Sequence, residues 1–186
     1  MNRSELERAI RAATHVVMRD KVIIIGSQSV LGTWDQDELP ALATLSNEVD
    51  IMPLDDDDAE TIARRLDING ELSIFHETHG FYIDGVGRRT ATLPDLWEER
   101  LVEVPTEGPD GAARLGLCLE PHDLCVAKLV AHRQKDRDFV GALLDADLID
   151  PNILLERLTS THLADGGNLD YAYRWVLDRV LPREAT

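Results

Sequence analysis

Three short segments of the chain carry residue types that could work on phosphates. The β-branched run Lys21-Val22-Ile23-Ile24-Ile25 ends at Gly26-Ser27-Gln28-Ser29. A Gly-Ser turn after a strand lets the backbone approach a phosphate closely, and its amides and hydroxyls can donate to the oxygens. The second segment is Ser46-Asn47-Glu48-Val49-Asp50-Ile51. Two carboxylates two residues apart on a strand point to one face. Such a pair can hold one or two magnesium ions, which prefer oxygen ligands and substrate phosphates. The third segment holds Lys128, then Arg133, then Lys135-Asp136-Arg137-Asp138. A lysine brought near the acidic pair would neutralise charge on a departing pyrophosphate. Each segment also has a plain reading. Alternating acids commonly line solvated strand faces, and a lysine in an apolar helix can snorkel to the surface. Only their order along one chain joins them.

In that order the segments resemble the DNA polymerase β-like nucleotidyltransferases, and within them the bacterial AbiEii-like and MenT-like toxin nucleotidyltransferases and their relatives. Gly26-Ser27 matches their Gly-[Gly/Ser] turn, and Ser46-x-Glu48-x-Asp50 their Ser-x-Asp-x-Asp strand. Lys128…Arg133…Lys135-Asp136 matches their Lys…Arg…Lys-Asp segment, so that the likeness spans residues 20–145. Two features differ. A longer spacer, around Trp34, separates the turn from the acids, and Glu48 stands where aspartate is commoner.

The resemblance implies an α/β fold, a nucleotidyltransferase-type mixed sheet flanked by helices. It implies transfer of a nucleoside monophosphate from an NTP, with Mg2+ or Mn2+, to an acceptor. That acceptor would be the tRNA 3′ end, and the protein the toxin of a toxin–antitoxin pair. Glu48 and Asp50 would hold the metal, and Gly26, Ser27, Ser46, Lys128 and Arg133 would bind the nucleotide. Lys128 would stabilise triphosphate charge, and Asp136 would support or deprotonate the acceptor hydroxyl. Asp84 occupies the position of a third metal ligand in the wider superfamily; just before Gly85, it also reads as a turn residue. Two other functions fit the same residues. One is a non-catalytic regulatory or protein-interaction module, its metal site weakened by Glu48. The other is transfer to a small hydroxylated molecule such as an aminoglycoside, whose positive charge an acidic surface attracts.

The elements that must position these residues follow from pattern. Ser4-Glu5-Leu6-Glu7 reads as a capping box, and Leu6, Ile10, Ala13 and Val17 recur at helical spacing, which predicts a helix over 4–18. Strands are expected at 21–25 and 49–53, with a short helix and a loop over 27–46. Asp55 to Asp58 read as the cap of a helix over 59–66. Further strands are expected near 73–77, 81–84, 89–93, 101–104 and 113–119, punctuated by Gly80, Gly85, Gly87 and the Gly108-Pro109-Asp110-Gly111 turn. From Pro121 onward the pattern is helical, over 123–132, 139–146, 151–158 and 169–181. This gives a core over 1–120 and a helical portion, 121–186, packed on it. Asp136 reads as a functional carboxylate, as the cap of a new helix after a break near Arg133, or as both; with no proline or glycine there, the pattern equally allows one helix running straight through.

Composition limits the partners. The 186 residues carry a net charge of -16, and 44% are hydrophobic, enough for a real core. That charge opposes indiscriminate binding to nucleic acid or anionic membrane, and suits solubility or a basic partner. RNA docking would need Arg88, Arg89, Lys128, Arg133, Lys135 and Arg137 gathered beside the acidic pair. No run is long enough to span a membrane, and no signal-peptide pattern is visible. The two cysteines, Cys118 and Cys125, are expected in the core of a cytoplasmic protein. His76-Glu77-Thr78-His79 lacks the additional ligands a zinc site needs. Tyr171, Tyr173 and Trp175 are expected to pack rather than to stack on bases.

Overall fold

A computed structural model describes residues 1–54, 59–164 and 166–180. A five-stranded mixed sheet has the order β3-β2-β1-β5-β4. Its strands are β1 (Lys21–Ile24), β2 (Glu48–Met52), β3 (Tyr82–Gly85), β4 (Val102–Glu107) and β5 (Ala113–Cys118). β1 runs antiparallel to β2 and parallel to β5; β2 and β3 are parallel, and β4 and β5 form an antiparallel pair. Helix α1 (Arg3–Val17) lies across β1, β4 and β5, and α2 (Ala59–Leu66) lies over β2 and β3. Together they cover one face with Leu6, Ile10, Val22, Ile24, Ile51 and Ile83, all buried. By the two-residue alternation of strands, Glu48, Asp50 and Asp84 belong to the opposite face.

After β5 come α4 (Pro121–Ala131), α5 (Gln134–Asp145), α6 (Pro151–Thr159) and α7 (Asp170–Val180). Buried side chains of these helices, among them Leu124, Leu143, Leu154 and Val176, belong to the same apolar cluster as the sheet. Cys118 and Cys125 are buried in it, and burial pushes the Cys118 thiol up to about 12. Tyr171 donates its hydroxyl to Val130 O at 2.8 Å, and Tyr173 and Trp175 also pack on the core.

The structure departs from the pattern reading in several places, and α5, expected over 139–146, begins five residues earlier at Gln134. Helix α1 is capped by Asn2 rather than Ser4: Asn2 accepts from Glu5 N, and Glu5 accepts from Asn2 N at 2.8 Å. Residues 74–79 are a helix, α3 (Ile74–His79), not a strand. Ser73 caps its first turn, and Gly80, at φ 75°, closes its end in the left-handed conformation. Residues 89–93 are not a strand: a turn over 87–90, closed by Thr90 N donating to Gly87 O at 3.0 Å, leads into irregular chain. The connection over 27–46 holds three 3-10 turns, Ser27–Gly32, Gln36–Glu38 and Ala41–Ala43, rather than one short helix. The expected cap at Asp55 to Asp58 lies outside the described residues.

A buried ion cluster ties the segment before β4 to the helices. The Asp123 side chain, fully buried, accepts from Arg100 Nε at 2.8 Å and Nη2 at 3.1 Å, with Arg157 Nε 3.4 Å away. Removing one partner of such a cluster strands the other charges out of water. Asp123→Ala is therefore expected to cost about 3–5 kcal/mol, read as a lower midpoint in denaturant. An unchanged midpoint would mean that Arg100 and Arg157 find equal partners elsewhere.

Candidate active site

The parallel register of β2 and β3 sets Asp50 beside Asp84 and Glu48 beside Tyr82. One carboxylate oxygen from each of Glu48, Asp50 and Asp84 lies within 4.8 Å of the others. Burial raises the pKa of all three. Asp50 is pushed to about 6, by burial first and then by Glu48 and Asp84, against the pull of Lys128 and Arg133. Asp84 raises Glu48, and Asp67 raises Asp84. A hydrogen bond between Glu48 and Asp84 acts oppositely on the two, holding Glu48 up and Asp84 down. Three carboxylates packed this closely repel one another, and a divalent cation relieves that repulsion. Hard oxygen donors of this kind fit Mg2+ or Mn2+.

Gly26 makes room for this cluster. Ile25 N donates to Asp50 O at 3.1 Å, which brings the two chains together, and a Cβ at Gly26 would lie 1.5 Å from Asp50 Oδ2. The glycine is thus needed for the position of a carboxylate, whatever it does for a phosphate. Ser27 opens the first 3-10 turn, and its Oγ accepts from Lys128 Nζ at 2.8 Å. Gln28, fully buried, donates Nε2 to Ser46 O at 2.7 Å, while Ser46 Oγ accepts from Glu48 N at 3.2 Å. These two bonds fix how the chain enters β2.

The cations arrive from the junction of α4 and α5. Helix α4 ends at His132 in the left-handed conformation, and Arg133 is the extended residue before α5. The helix therefore breaks there rather than running through. Lys128 does not snorkel: its side chain is 10% exposed, and Nζ also donates to Asp136 Oδ1 at 3.2 Å. Arg133 Nε donates to Asp136 Oδ2 at 2.5 Å. Of the six cations considered for RNA, Lys128, Arg133 and Lys135 line the cleft with the acids. Arg88 instead bonds Leu54 O at 2.8 Å, pairs with Glu98 and lies 5.6 Å from the Trp97 ring. Arg137 bonds Gln134 and His132.

One cleft of about 970 Å³ is thus lined by Ser27, Ser46, Glu48, Asp50, Lys128 and Arg133. It also takes in Asp84 and Asp136, and Gly26 forms part of its wall. Residues that the pattern did not single out complete it: Leu42 and Leu45, both exposed, on one segment, and Thr90 and Thr92 on another. The only signal for the leucines is the extra length of the 27–46 connection. His76 and His79 lie elsewhere, His76 bonded by Leu72 N at 3.1 Å and His79 beside Arg8 at 3.2 Å.

A family model described as a nucleotidyltransferase of unknown function (DUF6036) matches residues 4–176. No curated protein and no solved structure matches the chain. Among the described residues, no helix is long and apolar enough to cross a membrane.

Proposed function

The chain belongs to this family of nucleotidyltransferases of unknown function, and on that premise we propose that the cleft moves a nucleoside monophosphate from an NTP to an acceptor hydroxyl. The observation that carries the reading is the convergence of two chemically opposite groups in one cleft. Three carboxylates within 4.8 Å of one another share it with Lys128 and Arg133. Glu48, Asp50 and Asp84 would hold Mg2+ or Mn2+, which when bound polarises the α-phosphate and offsets charge on the leaving pyrophosphate. Gly26 and Ser27 would admit the triphosphate, and Ser46 would border it. Lys128 and Arg133 would hold its β- and γ-oxygens, where charge grows as the bond breaks. The acceptor oxygen bonds to the α-phosphorus, the bond from that phosphorus to the bridging oxygen breaks, and pyrophosphate departs. Asp84, on the edge strand, would accept the hydroxyl proton.

The likeness to toxin nucleotidyltransferases supports the tRNA 3′ end as acceptor, with a cognate antitoxin, in the cytoplasm. One observation favours a small cationic acceptor instead. Three of the six cations that would dock RNA are absent from the cleft, and two of the remaining three are bound to Asp136.

Incubation with total tRNA or an aminoglycoside, Mg2+ and each labelled NTP tests both readings. Label on tRNA that rises as salt is lowered supports the first, and label on the aminoglycoside supports the second. NTP binding without transfer to any acceptor would leave a binding module. Absence of any Mg2+-dependent NTP binding would refute the proposal.

A further inference from the structure

Asp136 is the most enclosed charge in the cleft, its side chain 1% exposed. Its oxygens are occupied. Oδ1 takes Lys128 Nζ at 3.2 Å and Arg133 Nη2 at 3.3 Å; Oδ2 takes Arg133 Nε at 2.5 Å. The chain break at His132 is what lets Lys128 on α4 and Asp136 in the first turn of α5 meet, eight residues apart. Phe139, one turn further along α5, lies under the same ammonium, its ring centre 4.4 Å from Nζ. Ser27 Oγ accepts a second hydrogen bond from that ammonium, at 2.8 Å.

The donor count decides what this arrangement can do. An ammonium has three N–H donors and a guanidinium five. Lys128 spends two, on Ser27 and Asp136, and keeps one; Arg133 spends two on Asp136 and keeps three. Both cations keep donors for a phosphate, whereas the carboxylate is already engaged at both oxygens. A base must have a free, weakly solvated lone pair near the proton it takes. Asp136 lacks one.

We propose that Asp136 is a positioning residue, which clamps Lys128 and Arg133 into the cleft as a preset cradle for the triphosphate and takes no proton from the acceptor. This rests on the nucleotidyltransferase reading. It places the work of Asp136 before chemistry, in nucleotide binding, and leaves proton removal to the carboxylate triad. Preset donors cost no reorganisation when the ligand arrives, and that is where their affinity comes from.

The test uses the full chain with two readouts. In metal-free, nucleotide-free protein, acylation of Lys128 by an amine reagent is compared with that of exposed Lys135. Wild-type Lys128 should react more slowly, and in Asp136→Asn its rate should rise by about tenfold, since the carboxylate that pins its ammonium in place is gone. Separately, Asp136→Asn and Lys128→Met should each raise the Kd for Mg2+–NTP by about tenfold, and the double variant should lose clearly less than the product of the two, since part of what Asp136 does acts through Lys128. Should Asp136→Asn not fold, Asp136→Glu keeps the charge and should hold NTP affinity within about threefold of wild type. Unchanged Lys128 reactivity, additive losses, normal NTP affinity with lost turnover, or a Glu variant as weak as Lys128→Met would each overturn the clamp. If the wild type binds no NTP, the functional reading fails, and the acylation rates still decide the clamp.

Discussion

Asp50→Asn will melt at a higher temperature than the wild type in the absence of metal at pH 7, and will lose nearly all transfer activity. The two effects share one cause. In the fold the Asp50 carboxyl titrates near 6 rather than at its ordinary 3.8, because burial, Glu48 and Asp84 all oppose its charge. The folded chain therefore binds that proton more tightly than the unfolded chain does. On this account, stability is full below about pH 4 and falls as pH rises through about 6, by about 3 kcal/mol. The amide carries no charge and escapes that cost, so the variant gains several degrees at neutral pH and little at pH 4. Mg2+ with NTP should stabilise the wild type strongly and the variant hardly at all. Turnover should drop by at least about a thousandfold. Calorimetry across pH 4–8, with chelator and then with Mg2+–NTP, reads all of this. Equal Mg2+–NTP stabilisation of both proteins would show that Asp50 is no ligand, and a variant less stable at pH 7 would show that its charge is not strained.

Gly26→Ala should be nearly as damaging to activity without touching any ionisable group. Gly26 sits at φ -76° and ψ -168°, a conformation alanine adopts freely, so the backbone gives no reason for glycine. The reason is space. The added methyl would lie 1.5 Å from Asp50 Oδ2 and 2.5 Å from its carboxyl carbon, so the carboxyl must swing out of the triad. Displacement of a reacting group by about 1 Å costs on the order of a hundredfold. Transfer should fall by that much or more, while circular dichroism stays near wild type. Normal turnover would mean that Asp50 works equally well from another rotamer.

Parts of this site are legible in the chain, and the rest is not, for physical reasons. Glu48 and Asp50 follow from alternation, which needs only the strand itself. Gly26-Ser27 after a β-branched run is equally local, whereas the break at His132 and Arg133 is not, since no proline or glycine marks it. Asp84 is different. It joins the pair only because β2 and β3 lie parallel, and nothing within either segment sets that register. Asp136 is ambiguous in sequence because it is both a first-turn acid and a ligand of two cations; only the geometry separates those roles. The strand expected at residues 73–77 failed although its counter-signal was present, since Ser73 and Gly80 are a start and a stop for a helix. The 3-10 turns after Ser27 have no periodicity to read. They are held by contacts made elsewhere, such as Gln28 to Ser46 and Arg3 to Leu31 O.

The parallel pairing of β1 with β5 has a consequence for how the protein comes into being. β1 lies at the centre of the sheet, yet one of its partners is made about ninety residues after it, so a long loop must close before the pair can form. At about 5–20 residues per second, the ribosome leaves that edge of β1 open for roughly five to twenty seconds. Val22, Ile23 and Ile24 then present unpaired amides and carbonyls to any neighbouring chain. The carboxylate side of the cleft can meanwhile assemble on β2 and β3, but Lys128 and Asp136 have not yet been synthesised. A nascent chain halted before Ala113 thus exposes an open sheet edge and lacks the cationic side of the cleft, which arrives only with the last third of translation.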